Sequence, residues 1–308
     1  MPIHDEHKLR QPEIRKIGIL GPSGTHSHAL FEEQFDLSKY TPFFSNPPSG
    51  ADRAQCFQDL LDSVSGDQGP KTDCCIIPFH NSSEQYFKEM PPLLVSRNVF
   101  VVDIKTVEVK HCLLVNPCVM SISEIEAVYS KDHIFKQCAV WLAEHHLAEL
   151  REMGSSASAA EFVSKNKDKK YAAIGRAKLA DKYSLKRFAM DIQKPNNFTS
   201  FFVISHKERS FNKNPYVLYA VPLNLMEDSY RVNEIITNHS FFWVPLWISP
   251  NKQGGFWYIF QLGTDGVFEN VVAFEKVLKQ NYSSSKRLGF VDKNISTCVV
   301  VNRKAQSG

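Results

Sequence analysis

The sequence lacks the features that mark secreted, membrane-spanning and nucleic-acid-binding proteins. No apolar run is long enough to cross a membrane, and residues 1–16 alternate charges without the apolar core of a secretory signal. The 36 basic and 33 acidic residues leave a net charge of +3, and no dense block of Lys and Arg could follow a phosphate backbone. We therefore predict a cytoplasmic protein whose partners include neither a membrane nor nucleic acid.

Redox and metal-binding patterns are equally sparse. The 7 cysteines form no CxxC pair, and several lie in apolar runs predicted as strands (Cys74, Cys75, Cys112, Cys298) or on a predicted helix (Cys138). We interpret them as reduced, buried thiols. No set of His, Cys, Asp and Glu has the spacing of metal ligands, so no metal site is predicted.

What the sequence does contain is a change of pattern after Ser205. Up to that residue, short apolar runs alternate with segments of helical periodicity, which is typical of α/β units with parallel sheets. From Pro215 the predicted order becomes βαββαβ, the pattern of a ferredoxin-like α+β unit. We predict an α/β domain over residues 15–206 and an α+β domain over residues 215–303, joined by a polar linker.

Polar turns fall where predicted strands end or helices begin. They lie near Thr25, Asn81, Ser130, Ser156 and Thr199. Ligands collect at such strand ends in open α/β sheets, and a helix start offers unpaired N–H groups to an anion. The turns therefore predict one anion-binding cleft between two lobes, although an ordinary capped connection between strand and helix also explains each turn by itself.

Seven segments, in order, resemble motifs of the prephenate dehydratase family. They read GPSGTHS, CCIIPFHNSSE, VKHCLLV, VYSKDHIFKQC, SSASAA, AAIGRAKLADKYSL and DIQKPNNFTSFFVIS, and the similarity runs from about Ile17 to Ser205. The resemblance implies a two-lobed fold like that of type 2 periplasmic binding proteins, followed by an ACT-like domain. It implies a carbon–oxygen lyase of phenylalanine biosynthesis, which removes water and carbon dioxide from prephenate to give phenylpyruvate, without a cofactor. Because ACT domains usually pair, it also implies a homodimer or a tetramer.

The motifs assign site residues by position. Thr199 matches the family's catalytic threonine, and we predict that its hydroxyl donates a proton to the departing ring hydroxyl. The predicted residues that bind the small anionic substrate are Ser23, Thr25, His26, His80, Asn81, Ser82, Ser130, Lys131, Gln137, Ser156, Asn197, Ser200 and Phe201. For Asn81, Ser130 and Ser156, capping or turn roles explain the residue type equally well.

Several of these positions depart from the family's residues. The Arg of its TRF motif is Ser200, the Glu of its E-N-S motif is His80, the His of its S-H-P motif is Lys131, and an aromatic residue is replaced by His26. Serine cannot replace a bidentate cation, so we expect the loss of a carboxylate contact worth about 2–3 kcal/mol. The exchanged charges indicate a compensating cation or a different anionic substrate, and decay of the pocket is a third explanation.

The C-terminal unit departs further from the family. The family's Gly-Ala-Leu turn and E-S-R-P segment are replaced at residues 226–229 and 247–250, so feedback by phenylalanine is not expected. Three functions therefore stay open: a prephenate dehydratase-type enzyme, a repurposed lyase, decarboxylase or cyclase of specialised metabolism, and a non-catalytic protein that binds or senses a small ligand.

Overall fold

The structure is a computed structural model. It describes residues 15–21, 23–45, 53–65, 71–83, 85–87, 89–147, 149–210, 216–239, 241–250, 254–264 and 266–292. The predicted apolar segment 297–301 and Cys298 lie outside these residues, as do positions 211–214 of the predicted linker. Within the described ranges, no helix combines the length and the apolar character that a bilayer crossing requires.

The first part of the chain alternates strands and helices. Its elements are β1 (Arg15–Leu20), α1 (His26–Gln34), β2 (Tyr40–Ser45), α2 (Arg53–Ser65), β3 (Cys74–Asn81), β4 (Gln85–Tyr86), α3 (Met90–Val95), β5 (Phe100–Glu108), β6 (Cys112–Val115), β7 (Ala127–Ser130), α4 (Asp132–Gln137), α5 (Ala139–Glu144), β8 (Leu150–Glu152), α6 (Ser156–Lys165), β9 (Tyr171–Gly175), α7 (Lys178–Tyr183), β10 (Lys186–Ala189) and β11 (Phe198–Ser205).

These strands form two sheets, one in each lobe. In the first lobe the order is β2-β1-β3-β11-β5, with β4 beside β3, and in the second lobe it is β10-β6-β9-β7-β8. The chain crosses between the lobes twice, from β5 to β6 and from β10 to β11. This arrangement confirms the two-lobed α/β fold.

The prediction of parallel sheets was wrong for part of each lobe. Strand β11 is antiparallel to both β3 and β5, and β6 is antiparallel to both β9 and β10. The reason is topological, because β11 enters the first lobe from the second lobe rather than through a β-α-β crossover within one sheet. Only crossovers of that kind force neighbouring strands to be parallel.

Both faces of the first sheet are buried, which is why its strands are apolar almost throughout. On one face, Ile76 and Phe201 pack with β1 residues against Leu30 and Phe31 of α1. On the other face, Ile77 and Phe202 belong to a larger cluster that includes α2 and α3. These two clusters hold the strand ends that form the edge of the cleft.

The C-terminal part has the predicted βαββαβ order. Its elements are β12 (Tyr216–Leu223), α8 (Asp228–Asn238), β13 (Phe242–Pro250), β14 (Phe256–Gly263), α9 (Phe268–Asn281) and β15 (Lys286–Val291), with the strand order β13-β14-β12-β15. One face of this antiparallel sheet packs on α8 and α9 through residues such as Val232 and Phe274. The other face joins the core cluster of the first lobe through Leu218 and Ile259.

The contact between the two parts is closest where β15 crosses β5. Gly289 has φ +142, and a Cβ atom on it would lie 2.1 Å from the carbonyl oxygen of Val101. A side chain at this position is therefore excluded both by backbone conformation and by space.

We predict that Gly289→Ala destabilises the protein by about 2–4 kcal/mol, because strain and overpacking act together there. Gly154→Ala is the matched control, since a Cβ on Gly154 meets nothing within 4 Å. The measurement is urea unfolding of both variants. Equal midpoints for the two variants would show that the close approach of β15 to β5 is wrong.

Candidate active site

The hydroxyl of Thr199 lies at the edge of the first lobe, where β3 ends and β11 begins. Asn81 and Thr199 are partners across the two strands. Asn81 Nδ2 donates a hydrogen bond to Thr199 Oγ1 at 2.9 Å, and both side chains are buried. The amide occupies a lone pair of the hydroxyl oxygen, so the hydroxyl hydrogen stays available for another acceptor.

Backbone contacts on both sides fix the Asn81 side chain. Its Oδ1 accepts from the backbone N–H of Ser83 at 2.9 Å, and its Nδ2 also reaches the carbonyl of Phe198 at 3.2 Å. Ser82 joins the same two segments, because its hydroxyl donates to the Asn196 carbonyl at 3.0 Å and accepts from the Phe198 N–H at 2.9 Å. Asn196 has φ 58, a left-handed conformation that asparagine tolerates better than most residues. Ser82 therefore shapes the site through the backbone.

A chain of amide groups continues from Asn81 into the second lobe. Asn81 Nδ2 lies 3.4 Å from Asn197 Oδ1, and Asn197 Nδ2 donates to Gln137 Oε1 at 3.0 Å. Gln137 sits at the end of α4, so this contact spans the cleft. Gln137 Oε1 also lies 2.7 Å from His111 Nε2. Four predicted site residues, Thr199, Asn81, Asn197 and Gln137, are thus brought together.

His111 and His26 form the wall of the site next to Gln137. Since Gln137 Oε1 can only accept, the hydrogen bond places the proton of His111 on Nε2. Burial lowers the pKa of His111 to about 4, although its hydrogen bond to Gln137 acts in the opposite direction. The His26 ring lies 5.7 Å from the His111 ring, and burial together with His111 and Arg176 holds its pKa well below the usual value. Both imidazoles are therefore neutral at neutral pH.

A cation that the motif comparison did not identify reaches across the cleft. Arg176 follows β9 in the second lobe, and its guanidinium donates to Glu33 at 3.0 Å and to the Thr25 carbonyl at 3.5 Å in the first lobe. A second pair, Lys178 with Glu32 at 2.9 Å, joins the same two lobes. The available signal was the position of Arg176 directly after a predicted strand, where polar residues face the cleft.

The turn before α1 uses its polar side chains mainly for capping. The Thr25 hydroxyl donates to the Leu20 carbonyl at 3.1 Å and accepts from the His28 N–H at 3.4 Å. Ser23 is exposed on the same turn. The first turn of α1 thus brings His26, rather than the Thr25 hydroxyl, to the network.

Two predicted residues, Ser200 and His80, face away from the Thr199 hydroxyl, which corrects our expectation for them. Ser200 pairs with His80 across the strands, and its hydroxyl lies 3.0 Å from that of Thr106. Successive residues of a strand point to opposite faces, so Ser200 and Thr199 cannot share a face. Burial lowers the pKa of His80 to about 4. Phe201 is also buried and belongs to the core cluster against α1.

The remaining predicted residues lie in the second lobe. Ser130 is fully buried, and its hydroxyl donates to the Ile174 carbonyl at 2.8 Å. Ser156 is the first residue of α6, but the capping hydroxyl is that of Ser155, which pairs with Ser158 in a capping box. Lys131 precedes α4 without a side-chain capping bond. Ser130 therefore has the structural role that the sequence left open.

Within the described residues, no group of His, Cys, Asp and Glu is arranged to hold a metal ion.

Comparison with known proteins shows which family the chain resembles in sequence. The prephenate dehydratase family model matches residues 17–209. The chain is 28% identical over 197 residues to the bifunctional chorismate mutase/prephenate dehydratase of Escherichia coli (strain K12), covering 64% of this chain and 48% of that protein. It is 24% identical over 273 residues to the prephenate dehydratase of Bacillus subtilis (strain 168), covering 83% and 90% of the two chains.

Comparison with solved structures shows the same fold in a protein of that name. A crystal structure described as prephenate dehydratase in complex with L-Phe from Arthrobacter aurescens superposes with a TM-score of 0.74 at 18% identity, covering 95% of this chain and 97% of that chain. The chain spans about half the length of the bifunctional relatives that it matches. Because the family model covers more than half of the 308 residues, and its motifs form the hydrogen-bonded site described above, the chain belongs to the prephenate dehydratase family.

Proposed function

We propose that this protein removes water and carbon dioxide from prephenate, giving phenylpyruvate, or carries out the same step on a close anionic analogue. The observation that carries this proposal is the hydrogen bond from Asn81 to Thr199 at the edge of the cleft. In the reaction, the bond to the ring carboxylate breaks and its electrons enter the ring. The carbon–oxygen bond breaks at the opposite ring position, and the leaving oxygen takes a proton to become water.

Thr199 supplies the proton or hydrogen bond to the leaving oxygen. Its oxygen already accepts from Asn81, which stabilises negative charge there as the proton moves away, and solvent restores the proton afterwards. The neighbouring groups are amides and neutral imidazoles, so no carboxylate among them repels the dianionic substrate. Aromatisation of the ring provides the driving force, and the site mainly has to orient the two carboxylates and the hydroxyl.

Arg176 is the cation that we propose for a substrate carboxylate. It lies beside His26 and His111, both of whose pKa values it lowers, and it holds the first turn of α1 through the Thr25 carbonyl. A guanidinium has five N–H donors, so its contacts to Glu33 and Thr25 leave donors for a ligand. It would supply a positive charge to the Thr199 pocket, which position 200 does not face.

We further propose that residues 15–206 form the catalytic domain and residues 215–303 an ACT-like domain that joins subunits into a cytoplasmic homodimer or tetramer. Strand β13 lies at the edge of its sheet, and Phe242 on it is 64% exposed. An exposed edge strand offers backbone N–H and C=O groups to a second copy.

A repurposed reaction on the same fold is the second candidate. It is favoured by His26, which replaces an aromatic residue and contacts His111 inside the site. Such an enzyme would bind an aromatic or cyclohexadienyl acid other than prephenate through the same Thr199 and Arg176.

The first test is turnover of prephenate to phenylpyruvate by the purified chain. We expect Thr199→Val to lower kcat about 10²-fold or more, because it removes the proton donor without changing the size of the side chain. Thr106→Val is the matched control, since its hydroxyl lies on the opposite face against Ser200, and it should keep kcat close to that of the wild type. Equal losses in both variants, or no phenylpyruvate above the uncatalysed rate, would contradict the proposal.

The second test separates substrate binding by Arg176 from closure of the cleft. Arg176→Ala should raise KM for prephenate by about 10- to 100-fold, the usual range for a lost charge-assisted hydrogen bond. Glu33→Gln removes the ion pair between the lobes but keeps the guanidinium, so it should change KM little. If both variants raise KM equally, Arg176 acts only through its pair with Glu33.

A further inference from the structure

A cavity of about 210 Å³ lies far along β5 from the proposed active site. It opens where the start of β5 meets the C-terminal half of α9 and the start of β15. The residues used below are Phe100, Glu275, Leu278, Lys279, Lys286 and Arg287, all of which line it. None of them belongs to the network around Thr199, so this is a separate site.

The acidic residue that lines this cavity, Glu275, is paired with Arg287, which also binds Glu208 outside the lining. Its guanidinium donates to both carboxylate oxygens of Glu208, at 2.8 and 3.1 Å, and to Glu275 at 2.6 Å. The buried hydroxyl of Tyr219 also donates to Glu275, at 2.9 Å. One guanidinium thus bridges two carboxylates, and these three groups together keep a net charge of −1.

Two ammonium groups at the same cavity have no such partner. Lys286 Nζ donates to the carbonyls of Leu94 and Arg97, and neither Lys286 nor Lys279 forms an ion pair with a carboxylate of the part of the chain that the structure describes. Burial lowers the pKa of Lys286 to about 8, which fits a cation that lacks a counter-charge. An ammonium has three N–H donors, so Lys286 keeps one for a ligand.

The rest of the wall is apolar. Leu278 is buried, and both Leu278 and Phe100, a residue of the first lobe, line the cavity. Two cations beside an aromatic and an aliphatic side chain suit a molecule with an anionic head and an apolar body. The volume limits that molecule to about the size of a single aromatic ring with a short side chain.

We propose that this cavity binds a small aromatic or aliphatic monocarboxylate, with its carboxylate on Lys279 and Lys286 and its apolar part against Phe100 and Leu278. Such a ligand would contact the first lobe and the C-terminal unit at once. It would also touch β5, the strand that pairs with β11 and places Val107 opposite Thr199. The proposal does not depend on the reaction at Thr199.

The test is calorimetric titration of the full chain with three probes: phenylacetate, phenethylamine and inorganic phosphate. Phenylacetate should bind, and phenethylamine, which has the ring with the opposite charge, should not. Phosphate should bind much more weakly than phenylacetate, because it makes no apolar contact. No heat with phenylacetate, or equal affinity for phosphate, would overturn the proposal.

Two variants on the surface of α9 test whether phenylacetate binds in this cavity. Lys279→Glu should weaken phenylacetate binding about tenfold or more, because it reverses a charge that contacts the carboxylate. Lys276→Glu makes the same change one turn earlier on α9, outside the cavity, and should bind like the wild type. Phenylacetate affinity that falls in Arg176→Ala and persists in Lys279→Glu would place the ligand in the cleft instead and overturn the proposal.

Discussion

The hydrogen bond between Asn81 and Thr199 depends on how β11 returns to the first lobe. The two residues are 118 positions apart, and only the antiparallel pairing of β3 with β11 makes them neighbours. That pairing requires the second crossing between the lobes. The same crossing carries Asn197 to Gln137, so the segment that closes the fold also completes the network across the cleft.

A β-bulge at Phe79 decides which side chains meet at this edge. Cys75, Ile77 and Phe79 share one face of β3, and regular alternation would put Asn81 on that face as well. The pairing of β3 with β11 instead shifts in register between Ser200 and Phe201. Because of this shift, Asn81 lies on the same face as Thr199, and His80 pairs with Ser200 on the other face. Phe79 is held there by stacking on Phe202, with ring centroids 3.8 Å apart.

This geometry explains which parts of the site could be predicted from the sequence. The strand and helix order and the polar turns at strand ends follow from local patterns. The motifs selected Thr199, Asn81, Asn197 and Gln137, which the structure brings together. The faces of Asn81 and His80 do not follow from local patterns, because they depend on a bulge that the apolar run of β3 does not reveal. The motif argument treated the missing TRF arginine as a lost contact in the Thr199 pocket, yet position 200 faces Thr106 and the opposite core.

Contacts between elements that are distant along the chain could not be predicted from the sequence either. Arg176 follows an ordinary apolar strand, and only the approach of the second lobe to α1 makes it part of the cleft. Lys279 and Lys286 line one cavity with Phe100 only because β15 packs against β5. In each case the residue type was visible, but its partners are set by tertiary packing.

The most direct measurement of the central claim is a double-mutant cycle on kcat/KM for prephenate, with Asn81→Ala, Thr199→Val and the two combined. If Asn81 acts by holding and polarising the Thr199 hydroxyl, the double variant should be no slower than Thr199→Val alone. Losses that multiply in the double variant would show that the two side chains act independently, and would contradict the account.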